Sequence, residues 1–347
     1  MERTEIRPGY SISKVIKGGW HLAGGHGKID ENKALDDMYE FVKAGITTFD
    51  CADIYTGVED LIGKFRKKYK DEFRSGDLLP IQVHTKYVPD YGALATLKKE
   101  DTVKIIDRSL RRLRVEQLDL VQFAWWDYQF PRYLETAVHL SELQNSGKIK
   151  YIGVTNFDTS RIKEMLDAGV EISANQVQYS VLDHRVETHM TALAQKHNIP
   201  YLCYGTVAGG FLSDRYLGAS DPKQPLENRS LTKYRLIIDE YGSYDLFQEL
   251  LRVLREIADK YNVGIAEIAS KYILQKPMVG GVIVGARNSK HLQSLRKLDS
   301  FSLDEDDLNK ISKITSLSKG PNGAFNELER DKTGKHGSIM KYNLNET

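Results

Sequence analysis

Three side chains that could act together on a carbonyl group follow two neighbouring β-rich runs of the sequence. Asp50 ends one run, Tyr55 lies five residues further along, and Lys86 ends the next run. A tyrosine can donate a proton to a carbonyl oxygen, but an ordinary pKa of about 10 makes it a weak acid. A neighbouring lysine cation lowers that pKa, and an aspartate keeps the lysine charged and oriented. The three residue types together therefore predict a general-acid site.

These side chains can meet only if the elements that carry them end at one edge, and the sequence indicates such elements. β-rich runs alternate with amphipathic stretches, one of which repeats apolar residues at helical spacing from Leu246 to Tyr261. The β-rich runs are 14–19, 46–50, 81–86, 118–123, 149–154, 174–179, 199–204 and 281–285. No G-x-G-x-x-G or P-loop follows an early run, which favours a closed barrel over an open sheet. We predict an α/β fold, a (β/α)8 TIM barrel with a parallel eight-stranded sheet, as one domain over 1–347 with an extension from about 318.

Further polar residues stand at predicted strand ends, where barrels carry their catalytic groups. Asn156 and Gln176 could hydrogen-bond a carboxamide, and Tyr204 could stack on an aromatic ring. The polar segment from about Asp214 to Tyr234 is predicted to be a long loop over this face, which could act as a lid. Each residue alone is more typical of a cap, a packing residue or a solvated surface, so only the combination indicates chemistry.

Composition and charge argue against several other classes of protein. Lys and Arg total 49 against 48 Asp and Glu, so the net charge gives no reason to expect nucleic acid or a membrane as a partner. The N-terminus lacks a signal-peptide core, and no stretch is apolar enough to span a membrane. Cys51 and Cys203 are too few for a disulfide scaffold, so we expect reduced thiols and a cytoplasmic location. His21 and His26 lack a third ligand at a sensible spacing, so we predict no metal site.

The segment 44–55 resembles the signature around the catalytic aspartate and tyrosine of the aldo-keto reductases, and Lys86 matches that family's catalytic lysine. Three further segments are similar to its two nicotinamide-binding strands and its cofactor-phosphate loop: 151–157, 175–179 and 284–289. The resemblance runs from about residue 13 to about 315. It implies an oxidoreductase that reduces a small-molecule aldehyde or ketone with NADP(H), with NAD(H) as the alternative cofactor and a monomer as the default state.

The resemblance also implies roles for individual residues. Tyr55 would protonate the carbonyl oxygen while the nicotinamide gives hydride to the carbon, and Arg287 would bind the 2′-phosphate through bidentate contacts. Gly24 and Gly25 would let the backbone approach the cofactor. The expected cofactor-binding residues are Thr155, Asn156, Gln176, Tyr204, Gly205, Thr206, Gly285, Arg287 and His291. The expected substrate-pocket residues are Trp20 and one of Trp125 and Trp126.

The sequence departs from the family pattern at the end of the fourth run. The family's fourth catalytic residue is a histidine that directs the substrate carbonyl, and Ala124 stands at that position. Three interpretations stay open. The chain is an engineered, inactivated His-to-Ala variant of a reductase, an enzyme with altered or non-redox chemistry such as dehydration or isomerisation, or a cofactor-binding sensor or partner subunit without turnover. Leu295, where relatives often carry an adenine-binding polar residue, weakens the preference for NADP over NAD.

Overall fold

Eight parallel strands form a closed barrel in the computed structural model, which describes residues 1–23, 29–286 and 288–345. A separate antiparallel hairpin precedes the barrel and consists of β1 (Arg3–Arg7) and β2 (Tyr10–Ser13). The barrel strands in chain order are β3 (Val15–Gly18), β4 (Thr48–Asp50), β5 (Gln82–Tyr87), β6 (Leu118–Phe123), β7 (Ile149–Thr155), β8 (Asn175–Gln178), β9 (Tyr201–Tyr204) and β10 (Val279–Gly285). The predicted (β/α)8 TIM barrel is confirmed.

The barrel closes where its last strand pairs with its first. β10 runs parallel to β3, with Val282 opposite Val15 and Gly285 opposite Gly18. Every other barrel strand pairs in parallel with the strand that follows it in the chain. Because all strands point the same way, their carboxyl ends meet around one opening. This opening, called the mouth below, is the ring of strand ends Gly18, Asp50, Tyr87, Phe123, Thr155, Gln178, Tyr204 and Gly285.

Helices surround the barrel and connect its strands. They are α1 (Glu31–Lys43), α2 (Val58–Lys68), α3 (Lys70–Ser75), α4 (Lys99–Leu113), α5 (Tyr133–Asn145), α6 (Thr159–Asp167), α7 (Met190–His197), α8 (Arg229–Tyr241), α9 (Tyr244–Tyr261), α10 (Ile265–Leu274), α11 (Leu292–Lys297), α12 (Glu305–Thr315) and α13 (Glu327–Arg330). The apolar face predicted from Leu246 to Tyr261 is that of α9, whose Leu250 and Leu254 are fully buried. Among the described residues, no helix combines the length and the apolarity needed to cross a membrane.

The hairpin β1–β2 covers the end of the barrel opposite the mouth, and the sequence did not predict it. Ile6 and Tyr10 are 2% and 4% exposed and pack with the barrel-interior residues Ile16 and Leu120. The Tyr10 hydroxyl oxygen lies 3.1 Å from Nε2 of His84, which is also inside the barrel. The packed end leaves the mouth as the place where ligand-binding side chains can collect.

One sequence-based expectation about a loop is corrected. The segment from Asp214 to Tyr234 is not one long loop, because α8 begins at Arg229. Asn228 starts this helix, since its side-chain oxygen accepts a hydrogen bond from the Leu231 backbone N–H at 3.0 Å. The extension after residue 318 is folded against the barrel. It contains α13 and packs across the mouth, where Tyr342 contacts Trp126 with 5.1 Å between ring centroids.

Candidate active site

Asp50, Tyr55 and Lys86 meet at the mouth. The Lys86 ammonium donates to Asp50 Oδ2 at 2.6 Å and to the Cys51 carbonyl oxygen at 2.8 Å. The same nitrogen lies 5.0 Å from the centroid of the Tyr55 ring. The side chains of Lys86 and Asp50 are only 6% and 5% exposed, so water screens their interaction little. The structure therefore brings together the three residues that the sequence predicted to act as a unit.

The environment sets the charges of this trio. Burial alone would lower the pKa of Lys86, but the Asp50 carboxylate and Tyr55 outweigh burial, and the pKa is raised. Lys86 is therefore a cation at neutral pH. Burial raises the pKa of Tyr55, and Lys86 offsets only part of that rise. The expected lowering by Lys86 is present, but the net direction is upward, and the Tyr55 phenol keeps its proton.

Two buried amides hold the Asp50 carboxylate from inside the barrel. Gln176 Nε2 donates to Asp50 Oδ1 at 2.6 Å, and Gln122 Nε2 donates to the same oxygen at 3.0 Å. Gln176 Nε2 also donates to Gln122 Oε1 at 2.9 Å, so both of its N–H groups are engaged. Only Oε1 of Gln176 is left to accept from the carboxamide that the sequence predicted as its partner. Gln122 was not predicted; the available signal was a polar residue within the otherwise apolar end of β6.

The ends of β7 and β9 supply the other predicted nicotinamide contacts. Asn156 has a left-handed backbone, with φ of 60°, and its Oδ1 accepts from the Tyr204 hydroxyl at 2.8 Å. Thr155 is 3% exposed beside it. Thr206 follows β9, and its buried Oγ1 has no hydrogen-bond partner among the described residues. A buried hydroxyl without a partner costs about 1–3 kcal/mol, so this group is suited to a ligand.

The Tyr204 ring and the predicted phosphate loop complete the residues that could hold a dinucleotide. Lys233 Nζ lies 4.9 Å from the Tyr204 ring centroid, so one face of that ring already contacts a cation. Gly205 has φ of 75°, a conformation that favours glycine, and Tyr234 packs against it. Gly285 ends β10 so close to the His21 ring that any side chain there would collide with it. Together with the unpartnered Thr206 hydroxyl, these groups fit a nicotinamide dinucleotide.

The far end of the predicted cofactor site is described only in part. His291 is exposed at the start of α11. Arg287 and the segment 24–28, with Gly24, Gly25 and His26, lie outside the described residues. Lys17 was missed, because it stands inside a short β-rich run. It is 2% exposed, its Nζ donates to the Ala286 carbonyl oxygen at 3.1 Å beside the predicted phosphate loop, and burial lowers its pKa to about 8.

Ala124 sits at the mouth beside a cation that comes from the extension. Arg330 Nη1 donates to the carbonyl oxygens of Trp125 at 2.7 Å and of Trp126 at 3.1 Å, and Nη2 donates to the Asn156 carbonyl oxygen. The Arg330 Nε is buried and has no hydrogen-bond partner among the residues described. This guanidinium joins the ends of β6 and β7 next to the position where the family carries its histidine.

The residue that precedes Arg330, Glu329, anchors α13. Both carboxylate oxygens of Glu329 accept from Arg185, at 2.9 and 3.0 Å, and Arg185 also pairs with Asp183 at 2.7 Å. All three side chains are buried, and the ion pairs outweigh burial to hold the pKa of Glu329 at about 2. The extension is therefore fastened to the mouth by a buried ion-pair network.

The three tryptophans take different positions. The Trp20 ring lies 5.0 Å from the Tyr55 ring, and its Nε1 donates to the Ser230 hydroxyl at 3.3 Å. Trp126 is half-buried at the mouth, where its Nε1 donates to the Pro89 carbonyl oxygen at 2.8 Å. Trp125 is 2% exposed and packs in the core, so Trp20 and Trp126 are the two that face the mouth.

The cysteines and histidines offer no second type of chemistry in the described part of the chain. Cys51 and Cys203 are buried free thiols, and burial raises the pKa of each. A raised pKa disfavours the reactive thiolate, which agrees with a packing role for Cys51. Across the described residues, no three His, Cys, Asp or Glu side chains group as a metal site requires.

Comparison with known proteins identifies the family. The chain is 26% identical over 325 residues to the aldo-keto reductase YhdN of Bacillus subtilis (strain 168), and the match covers 90% of this chain and 93% of that protein. It is 25% identical over 302 residues to the NADH-specific methylglyoxal reductase of Escherichia coli (strain K12), with 80% of this chain and 86% of that protein covered. The solved structure of the glycerol dehydrogenase AKR11B4 from Gluconobacter oxydans has the same fold, with a TM-score of 0.73, 21% identity and coverage of 90% of this chain and 95% of that one. The sequence model of the Aldo/keto reductase family matches residues 14–316, which is most of the chain, and the chain therefore belongs to that family.

Proposed function

We propose that the chain reduces a small aldehyde or ketone with NADP(H), and that Ala124 keeps its activity below that of a reductase with all four catalytic groups. One observation carries the proposal. The Lys86 ammonium is bound to Asp50 at 2.6 Å and lies 5.0 Å from the Tyr55 ring centroid, in a buried setting. This arrangement suits proton donation to a carbonyl oxygen.

Tyr55 is the proton donor in this proposal. Burial raises its pKa, so the phenol holds its proton at neutral pH. As that proton leaves, negative charge develops on the phenol oxygen, and the Lys86 cation stabilises it. Asp50 keeps Lys86 charged, and the amides of Gln122 and Gln176 keep Asp50 in place. A reduced nicotinamide, when bound, supplies the hydride.

The cofactor would be held by groups that the barrel leaves available at the mouth. Thr206 offers an unpartnered buried hydroxyl, Gln176 offers its Oε1, and Tyr204 offers a ring for stacking. Lys17 supplies positive charge beside the predicted phosphate loop, and the sequence resemblance assigns Arg287 to the 2′-phosphate, which together support NADP(H). NAD(H) is the alternative cofactor, since a relative in this family is an NADH-specific enzyme.

Ala124 also favours a second candidate function. Without a donor at this position, the substrate carbonyl loses one orienting contact. The second candidate is therefore a protein that binds the cofactor without turnover. Arg330 is a candidate replacement, because its guanidinium is bound to the Trp125 and Trp126 carbonyl oxygens directly after residue 124. The first candidate is preferred because Asp50, Tyr55 and Lys86 are all present and in contact.

The test measures cofactor binding and turnover separately. Binding is followed by NADPH fluorescence and turnover by NADPH oxidation with a panel of aldehydes and ketones, for the parent and Tyr55→Phe. We expect both proteins to bind NADPH. The variant should oxidise it roughly 10²–10⁴-fold more slowly than the parent. Binding without oxidation in the parent would favour the second candidate. No binding at all would contradict both.

A further inference from the structure

A second cavity lies far from the mouth, at the end of the barrel where the strands begin. It has a volume of about 500 Å³ and lies between α2, α3, the end of α4 and the residues that precede β5. Five of its lining residues are basic: Arg66, Lys67, Lys70, Arg74 and Arg114. A volume of this size is within the range of roughly 300–1,000 Å³ that is typical of small-molecule sites. These residues define what is called the basic cavity below.

Most cations of the basic cavity have no ion-pair partner among the described residues. Four of them form no ion pair and no side-chain hydrogen bond within the described residues: Lys67, Lys70, Arg74 and Arg114. Arg66 pairs with Asp119 at 3.4 Å, but the same carboxylate also accepts from the Val83 backbone N–H at 2.8 Å. The Arg66 Nε is buried and lacks a partner in the described part of the chain.

Several other cations on the same helices are paired. Lys64 pairs with Glu31 at 2.5 Å and Lys68 pairs with Asp36 at 2.7 Å, both from α2. On α4, Arg112 pairs with Glu59 at 3.4 Å. The cavity-lining cations Lys67, Lys70 and Arg74 have no such pair in the part of the chain that the structure describes.

The positions of these cations argue against a purely structural role. Lys70 and Arg74 are four residues apart on α3, an arrangement in which like charges repel. A helix carboxyl end attracts cations, which accounts for Arg66 at the end of α2 and Arg74 at the end of α3. It does not account for Lys70, which opens α3 at the end where a cation is disfavoured. A bound anion would remove this repulsion.

The rest of the cavity wall is apolar. Phe73 lines it beside Pro80 and Ile81, and packs edge-on against Phe65 with 5.7 Å between ring centroids. We propose that the basic cavity is a second ligand site that binds a small phosphorylated organic molecule, with its phosphates on the cations and its planar or apolar part on Phe73. The site is independent of the chemistry proposed for the mouth.

The test uses ATP as the probe and isothermal titration calorimetry as the readout. The variant Lys70→Glu/Arg74→Glu is compared with the parent and with the control Lys33→Glu/Lys196→Glu, which makes the same charge change at exposed lysines elsewhere. We expect the cavity variant to bind ATP at least about tenfold more weakly, because two charge-assisted contacts become repulsive, and the control to bind like the parent. Lys70→Gln/Arg74→Gln guards against misfolding and should show a smaller loss in the same direction.

Three results would overturn the proposal. The first is a parent that does not bind ATP. The second is equal weakening in the control, which would indicate a general charge effect. The third is ATP displaced by NADPH and unaffected by the cavity substitutions, which would put the nucleotide at the mouth. Tripolyphosphate is expected to bind more weakly than ATP, because it has no planar part to contact Phe73; equal binding would contradict the role given to the apolar wall.

Discussion

Replacing Lys86 with methionine removes one half of the buried ion pair at the mouth. Asp50 then keeps only the two amide donors, Gln176 at 2.6 Å and Gln122 at 3.0 Å, to hold a carboxylate that is 5% exposed. Breaking a buried pair by removing one partner costs about 3–5 kcal/mol, because the remaining charge is buried without compensation. Most of that loss should be recovered in Lys86→Met/Asp50→Asn, where no charge remains.

Urea unfolding of the parent, both single variants and the double variant measures this coupling directly. We expect Lys86→Met to lower the free energy of unfolding by about 3–5 kcal/mol, and the double variant to be more stable than Lys86→Met alone. If the losses of unfolding free energy in the two single variants simply add in the double variant, this prediction is wrong. Additive losses would mean that Asp50 is stabilised by Gln122 and Gln176 without help from Lys86.

Three further predictions concern groups around the mouth. Thr206→Val should raise the free energy of unfolding by about 1 kcal/mol and weaken NADPH binding, measured by urea unfolding and by fluorescence, because it removes a buried hydroxyl without a partner. Lys17 has a pKa of about 8 in the fold against 10.5 ordinarily, so its cation opposes folding below pH 8. The stability of the parent relative to that of Lys17→Met should therefore increase by about 3 kcal/mol as pH rises from 8 to 10.5, where only the unfolded chain holds the Lys17 proton. Arg330→Met should free the extension from the ends of β6 and β7, seen as faster proteolysis after residue 318.

The barrel and the cluster of Asp50, Tyr55 and Lys86 were predictable because they depend on local patterns. The run 118–123 is both the predicted strand and the strand β6 that forms, since its apolar residues suit a buried parallel strand. Asp50 and Lys86 end up in contact because neighbouring parallel strands carry their last residues to the same edge. Here the order of elements along the chain is enough to place the side chains.

The remaining features depend on contacts that no local pattern encodes. Arg330 binds backbone oxygens more than 170 residues away in the chain, and carbonyl groups leave no trace in the sequence. Gln122 was missed because a strand that is buried on both faces does not alternate apolar and polar residues, so the sequence does not show which of its side chains point into the barrel. The hairpin β1–β2 gains its stability by covering the barrel, as the burial of Ile6 against Ile16 illustrates, so it is not evident from residues 3–13 alone.

The most direct test of the account compares NADPH oxidation by the parent and by Ala124→His with the same panel of aldehydes and ketones. If position 124 is an emptied catalytic position in a reductase, the histidine should raise kcat/KM by roughly 10²–10⁴-fold, the contribution of one positioned acid–base group. A histidine variant that gains nothing, or that loses an activity the parent has, would contradict the account. It would mean that Ala124 is an adaptation to a different reaction.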